Sequence, residues 1–520
     1  MTGTPSPASL APLVTFGVVG DYGSGGVDAN NSTTSVVAMA AAGVATAMQQ
    51  YVSPAIPSNF VVSVGDQVYC PWSQGDENEP ATSTDYINAV GKLYGGFLCY
   101  PSVSYDVEQL ALSPNPYTPP GVTPSETMRL FPAIGDHDWW KQKYRKTVTA
   151  PSPSLTESKT QEEYLMEGND NYQMNFAGLE QPLSPVDKDG PCIRYYSVSQ
   201  GTVPAADTPL VQLFALSNDK NEVLLGTLST TASSSGNLDA PQIMWFQNAL
   251  KASTAVWNIV FMHQPPYSSS QDHGPTAYFQ LVDQVAAKAG QTVDLVLAGH
   301  VHSYERLQMV GGRTDPTTYI VNGAGGTLES FAPFYDTPAP SPQSMGVMPG
   351  SQIRATGFYG FQCALVTEQT LTLAFYGSQD PGNAEKKAGG AVWSVIDTVM
   401  IVKAGTVLNT DQLTGLTGLV IQGTMDNGVT SGLTIDTGGQ DATVPVNICG
   451  PGSLTVTGGG TLTITAASVP GGVPTGHGAS VFYETTQTGP SGPVSVTGQT
   501  TLVLYGTAYA PAAGVPEPAA

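Results

Sequence analysis

A chain of 520 residues is long enough for two or more domains with large cores. It has 18 Lys plus Arg against 41 Asp plus Glu, a formal charge of −23, and neither Lys nor Arg after Lys403. Nucleic-acid backbones and anionic membrane surfaces need clustered cations and are excluded as partners; phosphate esters are not, provided metal ions supply local positive charge.

Five cysteines, Cys70, Cys99, Cys192, Cys363 and Cys449, follow no zinc or redox spacing. Cys70 and Cys99 flank one loop-rich segment and suit a bridge in an oxidising compartment. Residues 1–12 read as a Pro- and Ser-rich leader without the basic and apolar regions of a signal peptide. No apolar run approaches the ~18 residues of a membrane helix, so no membrane insertion is expected. Few charges with abundant Gly, Thr and Ser lean toward a secreted, periplasmic or extracellular setting.

In chain order, Phe16–Gly20 is a short buried-type strand ending in Asp21-Tyr22-Gly23. Ser32–Ser35 can cap an Ala- and Val-rich helix reaching about Tyr51. Phe60–Gly65 is a second strand, closing in Asp66-Gln67-Val68-Tyr69, and the three elements make one parallel βαβ unit. An insertion with little periodicity runs from Cys70 to about Met128 and is expected over the active face. Leu130–Gly135 is a third strand, ending in Asp136-His137-Asp138. Residues 141–190 are polar and irregular, and Arg194–Ser199 and Val211–Ser217 are β segments. Asp239–Gln242 has a capping-box pattern before a helix through Leu250. Trp257–Met262 is a strand running into His263. Gly274–Gly290 reads as a helix, and Val293–Ala298 leads to Gly299-His300-Val301-His302. Thr318–Gly326 and Gly357–Gly377 complete the domain as β structure, the latter as a hairpin.

The composition shifts near Asp380. Residues 379–396 read as a linker, and 397–520 as a separate Gly/Thr-rich all-β module. Short alternating pieces recur at Leu433–Ile435, Leu454–Val456, Leu462–Ile464 and Val494–Val496. Their spacing hints at a repeat near twenty residues, suiting a β-solenoid or a sandwich. Surface or carbohydrate contact is one role for this module; a spacer is the other.

His300 and His302 are one residue apart, which in extended backbone puts both imidazoles on one face. Five apolar runs end in Asp or His, and the carboxyl ends of strands form the ligand-binding rim of open α/β sheets. Asp21, Asp66, Asp136, His263 and His300 then share one rim, a donor set that suits metal ions.

In order, Asp21-Tyr22-Gly23, Gly65-Asp66-Gln67-Val68-Tyr69, Gly135-Asp136-His137, Val260–His263 and Gly299–His302 follow the five blocks of the purple acid phosphatases. These are calcineurin-like metallophosphoesterases, and the resemblance covers roughly residues 13–378. It extends to Trp257–Ser268, Ser303–Arg306 and Val321–Gly325. The resemblance implies a four-layer α/β/β/α sandwich at 13–378 and a two-metal site. Fe(III) would take Asp21, Tyr69 and His302; divalent zinc, manganese or iron would take Asp136, His263 and His300; Asp66 would bridge. Two divalent ions are the other loading. The implied activity is hydrolysis of small-molecule phosphate monoesters at acidic pH by a metal-bound hydroxide. Phosphodiester hydrolysis and a metal-bearing, non-catalytic surface-binding protein are the alternatives. His137 and His273 become substrate contacts able to protonate the leaving alkoxide, with Asp138 holding the tautomer of His137. One position departs from the family: Asp136 stands where Asn is usual. Its extra carboxylate removes one unit of positive charge from the metal pair, which predicts tighter-held, less electrophilic ions.

Overall fold

In the computed structural model, residues 13–23, 36–69, 87–99, 127–138, 195–218, 241–273, 281–308, 317–326, 332–340, 344–379 and 393–403 are described, with shorter stretches between 104 and 125 and from 405 to 504. The leader, the caps at 32–35 and Asp239, Cys70, the start of the 274–290 helix, the tract 141–190 and most of the linker lie outside them.

Strands β1 (Val14–Val19) and β2 (Asn59–Ser63) flank helix α1 (Val36–Tyr51) and pair in parallel, Phe16 beside Phe60 and Val18 beside Val62. Their continuous Val and Phe runs suit strands covered on both faces. Helix α1 lies close against β1 because a Cβ at position 17 would overlap Met48 Sδ, and Gly17 has none. The insertion expected to be irregular contains helical turns at Ile87–Gly91, Lys92–Tyr94 and Gly95–Phe97, which bury Tyr94 and Phe97. Each piece is too short to print a helical period on the sequence. A strand pair, β3 (Ser104–Asp106) with β4 (Ala111–Ser113), follows.

The remaining elements, in order, are β5 (Leu130–Pro132), β6 (Tyr196–Val203), β7 (Thr208–Ala215), α2 (Pro241–Ala252), β8 (Trp257–Phe261), α3 (Leu281–Ala289), β9 (Leu295–Ala298), β10 (Tyr304–Gln308), β11 (Thr318–Asn322), β12 (Ser351–Thr356), β13 (Tyr359–Val366), β14 (Thr370–Ser378) and β15 (Ser394–Val402). The fold is α/β with two mixed sheets. One runs β5–β2–β1–β13–β14–β15; the other runs β6–β7–β8–β9–β11–β10–β12.

Alternation along the second sheet separates its two faces. Leu213, Ile259, Phe261, Leu295 and Leu297 join the core shared with the first sheet and α1. Phe214, Val260, Met262, Val296 and Ala298 pack instead with Ile243, Phe246 and Leu250 of α2 and Val282 and Val285 of α3.

The expected break between linker and module at 396/397 falls inside β15, which pairs antiparallel with β14, Leu371 opposite Ile401. The first sheet therefore continues to Val402. Between the sheets, the Asp397 carboxylate takes Arg306 in a bidentate pair (Nε 2.6 Å, Nη2 3.1 Å) and the hydroxyl of Tyr304 at 2.7 Å. The Tyr304 ring stacks on Phe375 at 4.0 Å. Lys403 reaches Asp294 at 2.6 Å and lies 4.4 Å from the Trp257 ring. Composition hid these contacts: an apolar strand with one Asp looks the same whether it starts a module or ends a sheet.

Beyond β15, Leu419–Gly423 and Asn447–Cys449 extend the first sheet in parallel, and Ser480–Tyr483 adds antiparallel to β12. Leu433–Asp436, Leu454–Thr457 and Val494–Val496 stack in parallel with Leu433, Leu454 and Val494 in register. Leu462–Ile464 pairs instead with Ala442–Val444 and Leu502–Leu504 in a separate parallel sheet.

Breaking the Arg306–Asp397 pair leaves a buried charge uncompensated. Asp397→Ala should lower unfolding free energy by roughly 3–5 kcal/mol, whereas Arg306→Met with Asp397→Leu should recover most of it. Urea denaturation of the three proteins decides this.

Candidate metal centre

The loops after β1, β2, β5, β8 and β9 meet at one end of the two sheets, and all seven expected metal donors converge there. Tyr69 Oη lies 3.2 Å from Asp21 Oδ1 and 3.1 Å from His302 Nε2, and His302 Nε2 lies 3.3 Å from Asp21 Oδ1. His263 Nε2 lies 2.9 Å from Asp136 Oδ1 and 3.3 Å from Asp66 Oδ1, and His300 Nδ1 lies 3.2 Å from Asp136 Oδ1. Asp21, Asp66 and His263 each offer a ligand atom within 4.8 Å of the others, which joins the two triads.

The loops lock one another. Asp21, Asp66 and His300 have positive φ (56°, 51° and 68°), a backbone state that non-glycine residues hold only when their surroundings impose it. The backbone N–H of Asp21 donates to the Gly65 carbonyl, that of Gly23 to Asp66, and that of Tyr69 to Gly23. The N–H of His300 donates to both Asp21 carboxylate oxygens (3.1 and 3.0 Å). The Val64 carbonyl accepts a hydrogen bond from His263 Nδ1–H at 2.9 Å and leaves Nε2 turned to the carboxylates. The glycines before the ligands are a matter of space. A Cβ at Gly135 would overlap the Asp66 carboxylate, one at Gly65 the His263 ring, and one at Gly299 the Asp21 carboxylate.

Asp138 is fully buried, and its carboxylate accepts the N–H groups of Gln67 (3.0 Å), Val68 (3.3 Å) and Gly135 (2.8 Å). Beside the expected part in orienting His137, these bonds make Asp138 a staple between the loops that carry Asp66 and Asp136. Burial and the neighbouring Asp66 charge push the Asp138 carboxyl well above the usual range, against the amides of Gly135 and Val68. The His137 ring lies 4.4 Å from Tyr69, and the backbone N–H of His137 donates to Asp66 Oδ1 at 3.0 Å. The half-buried His273 ring lies 4.3 Å from His300 and 6.1 Å from His302. Both stand beside the donor cluster.

Two residues escaped the sequence reading. Val64 contributes only a carbonyl, which no side-chain pattern can announce. Glu305 lies in the familiar Ser303–Arg306 stretch, and its burial within a charged tetrapeptide had no sequence signal.

The donor set fits cations. Asp21, Asp66, His263 and His302 are at most 4% exposed, and burying carboxylates together is unfavourable unless positive charge accompanies them. Burial raises the Asp66 and Asp136 pKa values, but imidazoles outweigh it: His263 holds Asp66 below the usual carboxylate range, and His300 with His263 holds Asp136 well below it. Against burial, Asp66 and Asp136 push His263 well above the ordinary imidazole value. Burial first, then His300 and His302, pushes His273 down to about 4.

A calcineurin-like phosphoesterase family model matches residues 15–304, and the chain belongs to that family. Purple acid phosphatase 5 of Arabidopsis thaliana is 33% identical over 124 residues, 21% of this chain and 31% of that protein. Acid phosphatase of Aspergillus ficuum is 32% identical over 113 residues, 18% of either chain. The aligned part thus spans less than a third of these curated relatives. The solved structure of PhoD aligns with a TM-score of 0.42 at 13% identity, covering 76% of this chain and 71% of that one.

Two outcomes follow for metal loading. A raised His263 pKa means that the imidazole keeps its proton until pH rises through that value, and a cation must displace it. Affinity should therefore fall about tenfold per pH unit in acid, with proton release visible when calorimetric heats are compared between buffers. Gly135→Ala should abolish loading of at least one ion, read by metal analysis after dialysis.

Proposed function

We propose that the chain is a dinuclear-metal hydrolase of phosphate monoesters, of the purple acid phosphatase type and working at acidic pH. Its catalytic unit is a four-layer α/β/β/α sandwich running to β15, and the strands beyond form an all-β solenoid continuous with the first sheet. The observation that carries the reading is the Tyr69 phenol between Asp21 and His302. A phenolate suits a hard trivalent ion, and carboxylate–imidazole sites do not require one.

In this reading Asp21, Tyr69 and His302 hold Fe(III), Asp136, His263 and His300 hold zinc, manganese or divalent iron, and Asp66 serves both. Two divalent ions are the alternative loading. When bound, the ions draw charge from the phosphoryl oxygens and lower the pKa of water at the site. The protein's own groups do the rest. His137 and His273 offer ring N–H groups to the phosphate and to the departing alkoxide. The depressed pKa of His273 supports an acidic optimum, because only there is its ring a strong donor. Asp138 and the Val64 carbonyl keep the ligand loops and the His263 ring in place. The substrate is a small phosphate ester, and an extracytoplasmic setting, supported by composition, belongs to the same proposal.

Assays with an aryl monoester and a bis-aryl diester test the reaction class, and faster turnover of the monoester is expected. The protein should be purple from a phenolate-to-iron transition, and Tyr69→Phe should bleach it; a colourless two-zinc protein would remove the iron assignment alone. No turnover of either ester with both sites filled would overturn the enzymatic reading. Asp136→Asn should raise kcat about tenfold, equivalent to about 1.4 kcal/mol, and weaken metal retention. Unaltered rate, pH profile and metal content would remove that account of the extra carboxylate.

A further inference from the structure

His273 stands at the end of the loop Ser268–His273, which belongs to neither helix nor paired strand apart from an isolated bridge between Ser270 and Phe334. Serines give the loop its shape. The Ser270 N–H donates to Ser268 Oγ at 3.0 Å, and Ser270 Oγ accepts the N–H groups of Asp272 (3.2 Å) and His273 (3.3 Å). This compact turn ends where the imidazole lies against His300, the ring planes 38° apart.

The turn is anchored from below by one carboxylate. Glu305, on β10 three positions after His302, is completely buried. Its Oε2 accepts the Ser269 N–H at 2.8 Å, and its Oε1 accepts the hydroxyl of the same serine and that of Ser351 at 2.6 Å. Ser269 Oγ accepts the Met348 N–H at 2.9 Å, and the Ser269 carbonyl accepts the N–H of Tyr335 at 3.0 Å. A carboxylate that takes both the main-chain and side-chain donors of one residue fixes that residue's orientation as well as its place. An apolar side chain would fill the space but would leave the Ser269 donors buried and unsatisfied.

We propose that Glu305 is a positioning residue for His273: through its paired bonds to Ser269 it holds the Ser268–His273 turn, and so sets where the His273 imidazole meets the substrate. Glu305 is not among the metal donors, so it acts on the reaction through His273. The inference rests on the proposed part of His273 in the phosphatase reading. It adds a residue from the opposite side of the loop.

Glu305→Gln keeps the volume but exchanges one acceptor oxygen for an amide donor. In the metal-loaded protein it should lower kcat on an aryl monoester about tenfold, since small displacements of a catalytic group are costly, and distort the acid limb of the pH profile. Metal affinity should stay within about twofold of the parent. In a His273→Ala background the same substitution should change kcat by less than about twofold, because the group it positions is gone. In the zinc-loaded protein, the imidazole NMR signals of His273 should shift in Glu305→Gln and, in the same direction, in Ser269→Ala, which removes only the hydroxyl arm. Equal kcat losses with and without His273, or unmoved His273 signals in both variants, would overturn the proposal. If His273→Ala leaves kcat unchanged, the catalytic part of His273 fails on its own; the NMR shifts then still judge whether Glu305 positions the ring. Should Glu305→Gln misfold by circular dichroism, Ser269→Ala carries the kinetic and NMR tests alone.

Discussion

The site depends on holding two sheets in one register. The oxygen donors Asp21, Asp66, Tyr69 and Asp136 follow strands of the first sheet, and the imidazoles His263, His300 and His302 follow strands of the second. Neither sheet alone can surround a cation. The ligand loops also key into one another across the divide: His263 hydrogen-bonds the Val64 carbonyl, and the N–H of His300 sits on Asp21. Packing and ligand geometry are therefore one quantity. A slip that separated the sheets would cost hydrophobic contact and strand three carboxylates in low dielectric, so cation binding and folding reinforce each other.

What sets the register away from the rim is also polar. Arg306 and Asp397, each about 2% exposed, pair between the sheets a short way along the strand that follows His302. Apolar side chains of similar volume would hold the sheets together as well. A bidentate guanidinium–carboxylate pair differs in accepting one alignment, since its two bonds form only when both strands are correctly placed. Tyr304 donates to the same carboxylate while its ring stacks on Phe375. Three successive positions of β10 thus serve different neighbours: Tyr304 and Arg306 face the first sheet, and Glu305 faces the loop of His273. Strand alternation makes that division possible.

Much of the catalytic region was legible because its signals are local. Apolar runs ending in Asp or His announce both strand and ligand, and β1, β2, β5, β8 and β9 lie where those runs predict. The convergence of Asp21 with His300 and His302 was an inference from topology, and it holds because parallel strands with short loops deliver their carboxyl ends to one edge. The illegible parts are those whose meaning is set by a distant partner. Asp138 reads as a neighbour of His137, but that its carboxylate also accepts the amides of Gln67 and Val68, some seventy positions earlier, has no local signal. A boundary near 396 rests on composition, which cannot show that Ser394–Val402 pairs with the preceding hairpin. Leu433, Leu454 and Val494 pair in register on parallel strands, whereas Leu462–Ile464 pairs in a separate sheet, so the repeated pieces do not follow one common period.

Asp136 brings these strands of reasoning together. Its carboxylate oxygen sits between His263 and His300, so in this chain each of those imidazoles faces a negative group where the family pattern would offer a neutral amide. The electrostatic consequence appears on both sides of the contact: Asp136 is held well below the carboxylate range and His263 well above the imidazole range. Such a cluster is self-neutralising, which favours assembly of the rim as the chain folds. The same interaction makes protons stronger competitors for His263 when a cation arrives, and under the proposed function it would lower the net positive charge felt by a phosphate ester. Under that proposal, charge added to steady the donors is charge subtracted from the electrophile, and Asp136 is where this chain would set that balance.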